Sequence, residues 1–281
     1  MFKSITNQVV RNGRLRPQID FSVSVSNGEV LVSGRNAFGQ LGHPRSVERL
    51  PASTPVPNLG EHDVKSAHTS LSNVYIRTAT GVLSAGLNTD NQLGRDEMQT
   101  LSEEFKAVAY DFKSRGGVRQ LSANGDTCAA LTNDGCVVGW GNSEYGGLCV
   151  VEDRGLLPTS LSHHLDQAGC TYVDKVSIAG AHSWFMDDSG GIYAVGLRSV
   201  DGKPAIFTTP SLLKLPANAV NVWSGVHHSV ALLQDGSLFI DGPQLDSFEV
   251  LAEDDADTLL QLAHTNTLNI TFGLNGILLH S

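Results

Sequence analysis

One phrase recurs six times along the chain: an alternating apolar run, a tight polar turn at glycine, and a second alternating run. It reads FSVSVSNGEVLVSG at 21–34, NVYIRTATGVLSAG at 73–86 and TCAALTNDGCVVGWG at 127–141. It returns as HSWFMDDSGGIYAVG at 182–196, HSVALLQDGSLFIDG at 228–242 and LNITFGLNGILLHS at 268–281. The turn glycines Gly28, Gly81, Gly135, Gly191, Gly236 and Gly276 are 53, 54, 56, 45 and 40 residues apart. Repetition at that period defines an array of supersecondary units before any single residue is weighed.

Alternation of period two, as in Phe21, Val23, Val25 and then Val30, Val32, marks strands with one covered and one wetter face. Asn27-Gly28, Asp134-Gly135, Asp235-Gly236 and Asn275-Gly276 are the dipeptides of two-residue hairpins, whose central positions need positive φ. Each unit is thus a β-hairpin, and a lone hairpin needs further strands to be stable. Short stretches ahead of the hairpins (Val118–Ala123, Val173–Ala179, Ala219–Gly225 and Leu259–Ala263) suit an inner strand. Helical periodicity is confined to residues 101–113 and the first 16. Four short strands per unit predict an all-β fold, a single-domain β-propeller of about six to seven four-stranded blades over 19–281. A β-solenoid is the structural rival. The 281-residue length and 29 glycines fit such a fold, and no apolar run is long enough to span a membrane.

After the hairpin, repeat one continues as GEVLVSGRNAFGQLG at 28–42, repeat two keeps Asn88 and Gln92-Leu93-Gly94, and repeat three reads GWGNSEYGGLC at 139–149. The combination resembles the repeat of the regulator-of-chromosome-condensation family, whose founding member is the exchange factor of the small GTPase Ran. The later repeats keep the hairpin and lose the Gly-Gln-Leu-Gly tail. That family is described as seven-bladed, whereas six hairpins are visible here. The string WGNSEY at 140–145 is similar to the family's mitochondrial member, which is associated with ribosome assembly. The resemblance implies a protein partner, either a small GTPase or a ribosome-assembly factor.

Residues 1–18 carry Lys3, Arg11, Arg14 and Arg16 and no acidic residue. That composition is that of a mitochondrial transit peptide; a basic N-terminal arm is the alternative. The expected location is the mitochondrial matrix, with cytoplasm or nucleus as the other reading. The remainder holds 15 basic and 29 acidic side chains, a net charge of −14. Such a body repels phosphate backbones, so no direct nucleic-acid contact is expected. Its acidity favours a basic protein surface or serves solubility alone. The four cysteines, Cys128, Cys136, Cys149 and Cys170, form no C-x-x-C pair and fit reduced packing thiols.

No phosphate-binding loop, dinucleotide fingerprint, H-E-x-x-H or G-x-S-x-G occurs, so neither an enzyme nor a cofactor is expected. His163-His164 with Asp166 lacks a third spaced ligand for zinc. Asp126, His182, His227 and His228, at the openings of hairpins three to five, are the candidate partner-binding residues. His182 and His228 recur by repeat symmetry, which also fits a structural hydrogen-bonding role. Trp140, Trp184, Trp223, Phe38 and Tyr145 fit interface anchors or inter-blade packing. The leading expectation is a non-catalytic interaction scaffold; the alternative is a guanine-nucleotide exchange factor.

Overall fold

The computed structural model describes residues 2–3, 20–60, 62–96, 98–200, 203–225, 227–242, 249–252, 256–264, 268–272 and 276–280. After β1 (Phe2–Lys3), the chain forms β2 (Phe21–Ser26), β3 (Glu29–Arg35) and β4 (Arg49–Pro55). Next come β5 (Val64–Thr69), β6 (Asn73–Thr78), β7 (Val82–Leu87) and β8 (Leu101–Ala107). The third group is β9 (Val118–Asn124), β10 (Thr127–Thr132), β11 (Val137–Ser143) and β12 (Glu152–Ser160), followed by helix α1 (Ser162–Gln167). The fourth is β13 (Val173–Ile178), β14 (His182–Asp187), β15 (Ile192–Val200) and β16 (Lys203–Leu212). The chain then runs through β17 (Ala219–Ser224), β18 (Ser229–Leu233), β19 (Leu238–Asp241) and β20 (Glu249–Ala252). It finishes with α2 (Ala256–His264), β21 (Asn269–Phe272) and β22 (Gly276–His280).

These strands make six sheets, four of them four-stranded. Five apolar clusters fill the spaces between successive sheets. Val32, Leu41, Val74 and Leu83 join the first sheet to the second; Tyr75, Cys128, Val138 and Trp140 join the second to the third. Leu131, Leu148, Val176 and Phe185 lie between the third and fourth, and Trp184, Ile192, Ala231 and Leu233 between the fourth and fifth. Val230, Ile240, Ile277 and Leu279 pack the fifth against the sixth. All four cysteines are buried free thiols, and burial pushes Cys128 well above the ordinary thiol range. The six sheets face one central channel of about 550 Å³, lined by the strands β2, β5, β9, β13, β17 and β21. This is the expected all-β propeller architecture, with six sheets among the described residues.

The six hairpins form where the alternation places them, but their turns differ from one another. Among the described turns, only Asn27 (φ 52°) and Gly28 (φ 80°) make a two-residue turn with both central residues left-handed. At 133–135 and 234–236 the loop has three residues, and only Gly135 and Gly236 take positive φ. In the fourth hairpin Gly190 (φ 86°), not Gly191, holds that position. Gly81 is not left-handed; its turn is Ala79-Thr80, where the Thr80 and Gly81 amides donate to Thr78 Oγ1. Gly276 lies at the start of β22, and the turn before it falls outside the described residues.

Two other expectations are corrected. Residues 101–107 form an outer strand, β8, paired with β7, and the helical spacing there is overridden by that ladder. Leu259–Ala263 is not an inner strand but part of α2, which buries Ala263 and packs Leu260 and Leu262 on the last core cluster. Of residues 1–18 only Phe2 and Lys3 are described; they pair with Phe239 and Leu238 on the edge of the fifth sheet.

The family-like tail has a structural explanation. In Asn36, completely buried, Nδ2 donates to the carbonyls of His43, Pro44 and Val47, while Oδ1 accepts the Leu41 amide. Asn88 repeats the arrangement, bonding the Gln99 carbonyl and the Leu93 amide. In the third repeat Ser143 stands in, accepting from the Leu148 amide and donating to the Val150 carbonyl. The loop also demands left-handed backbone at two places. Gly39, Asn91 and Gly146 (φ 70°, 58° and 73°) occupy the first; Gly42, Gly94 and Cys149 (φ 71°, 64° and 67°) occupy the second. Asn91 and Cys149 are thus held by their loops in a region that glycine prefers.

Candidate functional site

Alternating strand direction sets all turns between first and second strands, and all loops between third and fourth strands, on one face. Here this loop face holds, among the described residues, the turns at 70–72, 125–126, 180–181 and 227–228. It also holds the long loops 36–48, 88–96 with 98–100, and 144–151. The opposite face carries the tight hairpin turns. Each long loop leans on the following sheet: the Arg45 amide donates to Glu103 Oε1 at 3.1 Å, and Asn91 Nδ2 donates to the carbonyls of Arg154 and Gly155.

All four candidate residues lie on this face, in three successive sheets. Asp126 is half-buried at the turn before β10; its Oδ1 accepts Gln92 Nε2 at 3.1 Å and its carbonyl accepts the Asn142 amide at 2.8 Å. The carboxylate therefore braces the second sheet's loop against the third sheet. His182 is buried, with Nε2 2.7 Å from Ser229 Oγ. From there Ser229, Ser224 and Ser177 pass a chain of hydroxyl contacts, 2.6 and 2.7 Å long, to the channel wall. Burial pushes the His182 pKa down to about 4, with Asp241 opposing and Arg198, His228 and His227 adding to the depression. His228 is buried and packs its ring against Gly242. Of the three histidines, only His227 is exposed.

Sequence reading marked Tyr145 as a candidate anchor but missed the other exposed apolar side chains of this face. Five of the nine large apolar residues exposed among those described, Val47, Leu71, Met98, Tyr145 and Val151, belong to the turns and loops of this face. Their signal was weak because single apolar residues in polar loops carry no periodicity. Trp140 and Trp184, weighed as anchors, are fully buried between sheets, and Trp140 Nε1 donates to the Gln92 carbonyl. Phe38 is half-buried. His163, His164 and Asp166 sit on α1, beside the opposite face, and among the described residues no three His, Cys, Asp or Glu side chains converge as a metal site.

Radial sheets around a channel, with one face built of long braced loops, define a repeat propeller. Residues 118–146 match the regulator of chromosome condensation (RCC1) repeat. It is 26% identical over 238 residues to the guanine nucleotide exchange factor SRM1 of Saccharomyces cerevisiae, covering 75% of this chain and 48% of that protein. It is 27% identical over 233 residues to the human RCC1-like G exchanging factor-like protein, covering 77% and 49%. The chain thus spans about half the length of the curated relatives it matches. Among solved structures, human WBSCR16 superposes with a TM-score of 0.69 at 21% identity, covering 79% of this chain and 59% of that one. Prp20p of Saccharomyces cerevisiae follows at 0.64 and 24%, covering 79% and 56%. Both share the propeller fold.

Proposed function

We propose that the chain is a non-catalytic propeller scaffold that docks a protein partner on its loop face. The observation carrying this reading is that Val47, Leu71, Met98, Tyr145 and Val151 are exposed on the turns and loops of that face, which also carries exposed His227 and half-buried Asp126. Exposed apolar side chains amid polar loops are what a protein interface uses at its centre, with a polar rim around it. The acid-poor basic segment 1–18 and the WGNSEY string support the mitochondrial matrix as the compartment, with ribosome assembly or RNA-modifying machinery as the setting. Fusing residues 1–18 to a reporter tests the compartment: matrix fluorescence is expected, and cytosolic fluorescence contradicts it.

A second reading, guanine-nucleotide exchange, is favoured by the names of the relatives. One is called a guanine nucleotide exchange factor, and the Prp20p structure is described together with its binding to Gsp1p and histones. For this chain the partner would then be a small GTPase engaged on the same face. Release of labelled GDP from a panel of small GTPases separates the two readings. Acceleration of any one establishes exchange; binding without acceleration leaves the scaffold.

A further inference from the structure

In sheets two to five an inner strand, β5, β9, β13 or β17, lines the channel and pairs with the first hairpin strand. Those hairpin strands, β6, β10, β14 and β18, are buried almost throughout. The first sheet differs: its described strands are β2, β3 and β4, and β2 itself lines the channel. A repeated bond makes β2 the equivalent of β6, β10 and β14. The Asp20 carbonyl accepts the Arg35 amide, just as those of Ser72, Asp126 and Ala181 accept Leu87, Asn142 and Leu197. Yet β2 is covered on one face only. Phe21 is buried and Val23 and Val25 pack on the first core cluster, while Ser22, Ser24 and Ser26 are exposed.

The register identifies the backbone groups left over. Pairing runs from Phe21 opposite Gly34 to Ser26 opposite Glu29 without a shift, and Asp20 already bonds Arg35. Bonded and non-bonded pairs alternate in an antiparallel ladder, so the N–H and C=O groups of Phe21, Val23 and Val25 point away from β3. Among the described residues nothing bonds them. Such an edge is a template for another strand, and proteins block unused edges with charge, proline or bulges. The outer strands here are blocked in that way, by Pro51 and Pro55 in β4, Pro158 in β12, and Pro204 and Pro210 in β16. β2, FSVSVS, carries no charge, proline or bulge. The spacing of β5 and β6 would assign residues 12–17 to the vacant place, but their sequence, NGRLRP, lacks the alternation of an inner strand.

We infer that this edge takes up an extended segment of a partner protein, which pairs with Phe21, Val23 and Val25 as a fourth strand of the first sheet. The channel, about 550 Å³, has room for one strand and not for a folded second copy of the chain. The chain's own β9 shows the chemistry that fits. On the face it shares with Ala129 and Leu131, the equivalents of Val23 and Val25, β9 places Ser122 and Gln120. These bond the backbone of Val176 and Ile178 in the next inner strand. In β5 the equivalents are Ala67 and Thr69, whose backbone groups receive no such bond among the described residues. A fitting guest therefore alternates Gln, Ser or Asn, aimed at β5, with small apolar residues on the other face. Backbone pairing supplies its affinity and the two rows of side chains its selectivity. This site is separate from the exposed apolar residues of the loop face.

The probe is a dye-labelled peptide with the sequence of β9, VRQLSAN, titrated into the full chain by fluorescence anisotropy and residue-resolved hydrogen exchange. Saturable binding is expected, with exchange at the Phe21, Val23 and Val25 amides slowed at least tenfold. Val23→Pro removes an outward N–H without removing a bond between β2 and β3, and should weaken binding at least tenfold at an unchanged thermal midpoint. Two peptides N-methylated on alternate amides, one along each edge, test pairing on the unaltered chain: one should bind and the other fail. No saturable binding, three unprotected amides, equal affinity of the two methylated peptides, or full affinity in a folded Val23→Pro chain would overturn the inference.

Discussion

Gly28 and Gly141 are both left-handed glycines, yet the chain asks different things of them. A Cβ on Gly28 would meet open space, whereas one on Gly141 would collide with the carbonyl oxygen of Asp126. That carbonyl accepts the amide of the next residue, Asn142, and Gly34, Gly86 and Gly196 repeat the contact in their sheets. Gly28→Ala is therefore expected to cost about 1 kcal/mol, from backbone strain alone. Gly141→Ala should cost roughly 3 kcal/mol or more, because backbone must also move; urea midpoints of the two variants decide between them. The turn glycines stand out in the sequence because Asn and Asp precede them. The role of the third-strand glycines was not legible there, since close approach to a carbonyl depends on a residue about fifteen positions earlier. Asn36 was visible as part of a motif, but its reason was not. Asn36→Ala strands a buried amide and several carbonyls and should cost about 2–4 kcal/mol by the same measurement.

The buried histidine His182 gives stability a pH dependence of definite sign. Its folded pKa of about 4 lies below the ordinary 6.5, so the unfolded chain takes up a proton first as pH falls. Its contribution is complete above about pH 6.5 and is lost progressively toward pH 4, at a slope approaching 1.4 kcal/mol per pH unit. His182→Gln should flatten the wild-type decline between pH 6 and pH 5 in denaturant titrations. An identical slope in the two proteins would mean that His182 is protonated in the folded state.

Neighbouring inner strands do not pair through backbone, and side chains do that work instead. Gln120 Oε1 accepts the Val176 amide and its Nε2 donates to the Val176 carbonyl, both at 2.9 Å. Ser122 Oγ accepts the Ile178 amide, and Asn124 Nδ2 donates to the carbonyls of Ile178 and Ser224. One strand, β9, thereby stitches the third sheet to the fourth and fifth. Gln120→Ala should cost about 1–2 kcal/mol and speed hydrogen exchange at the Val176 amide, with Leu232 in β18 unaffected. At this scale the hairpins and most inner strands were legible from period-two alternation. Two segments were not. Apolar residues at 101, 105, 108, 109 and 112 repeat at helical spacing, but pairing with β7 decides for a strand. LLQLA at 259–263 is short enough to read either way, and docking of Ala263 into the last core cluster decides for a helix.

For the whole molecule, the repeat gives two faces of different chemistry. The loop face presents apolar side chains and His227, and the turn face carries Lys113 and Arg115. The six-fold hairpin count was readable from the sequence, and six sheets are present among the described residues. Which candidates share a face was not readable, since it depends on how the sheets are arrayed. Burial of His182 and His228 also follows only from packing between sheets. The propeller reading predicts that binding a protein partner maps to the loop face. The most direct measurement compares partner capture by the wild-type chain with that by two folded surface variants. One is a Leu71→Ser, Tyr145→Ser, His227→Ala triple change on the loop face; the other is Lys113→Ala with Arg115→Ala on the turn face. The account predicts that a partner retained by the wild type is lost at least tenfold by the loop-face variant and kept by the turn-face variant. Full retention by the loop-face variant, with loss by the other, would contradict it.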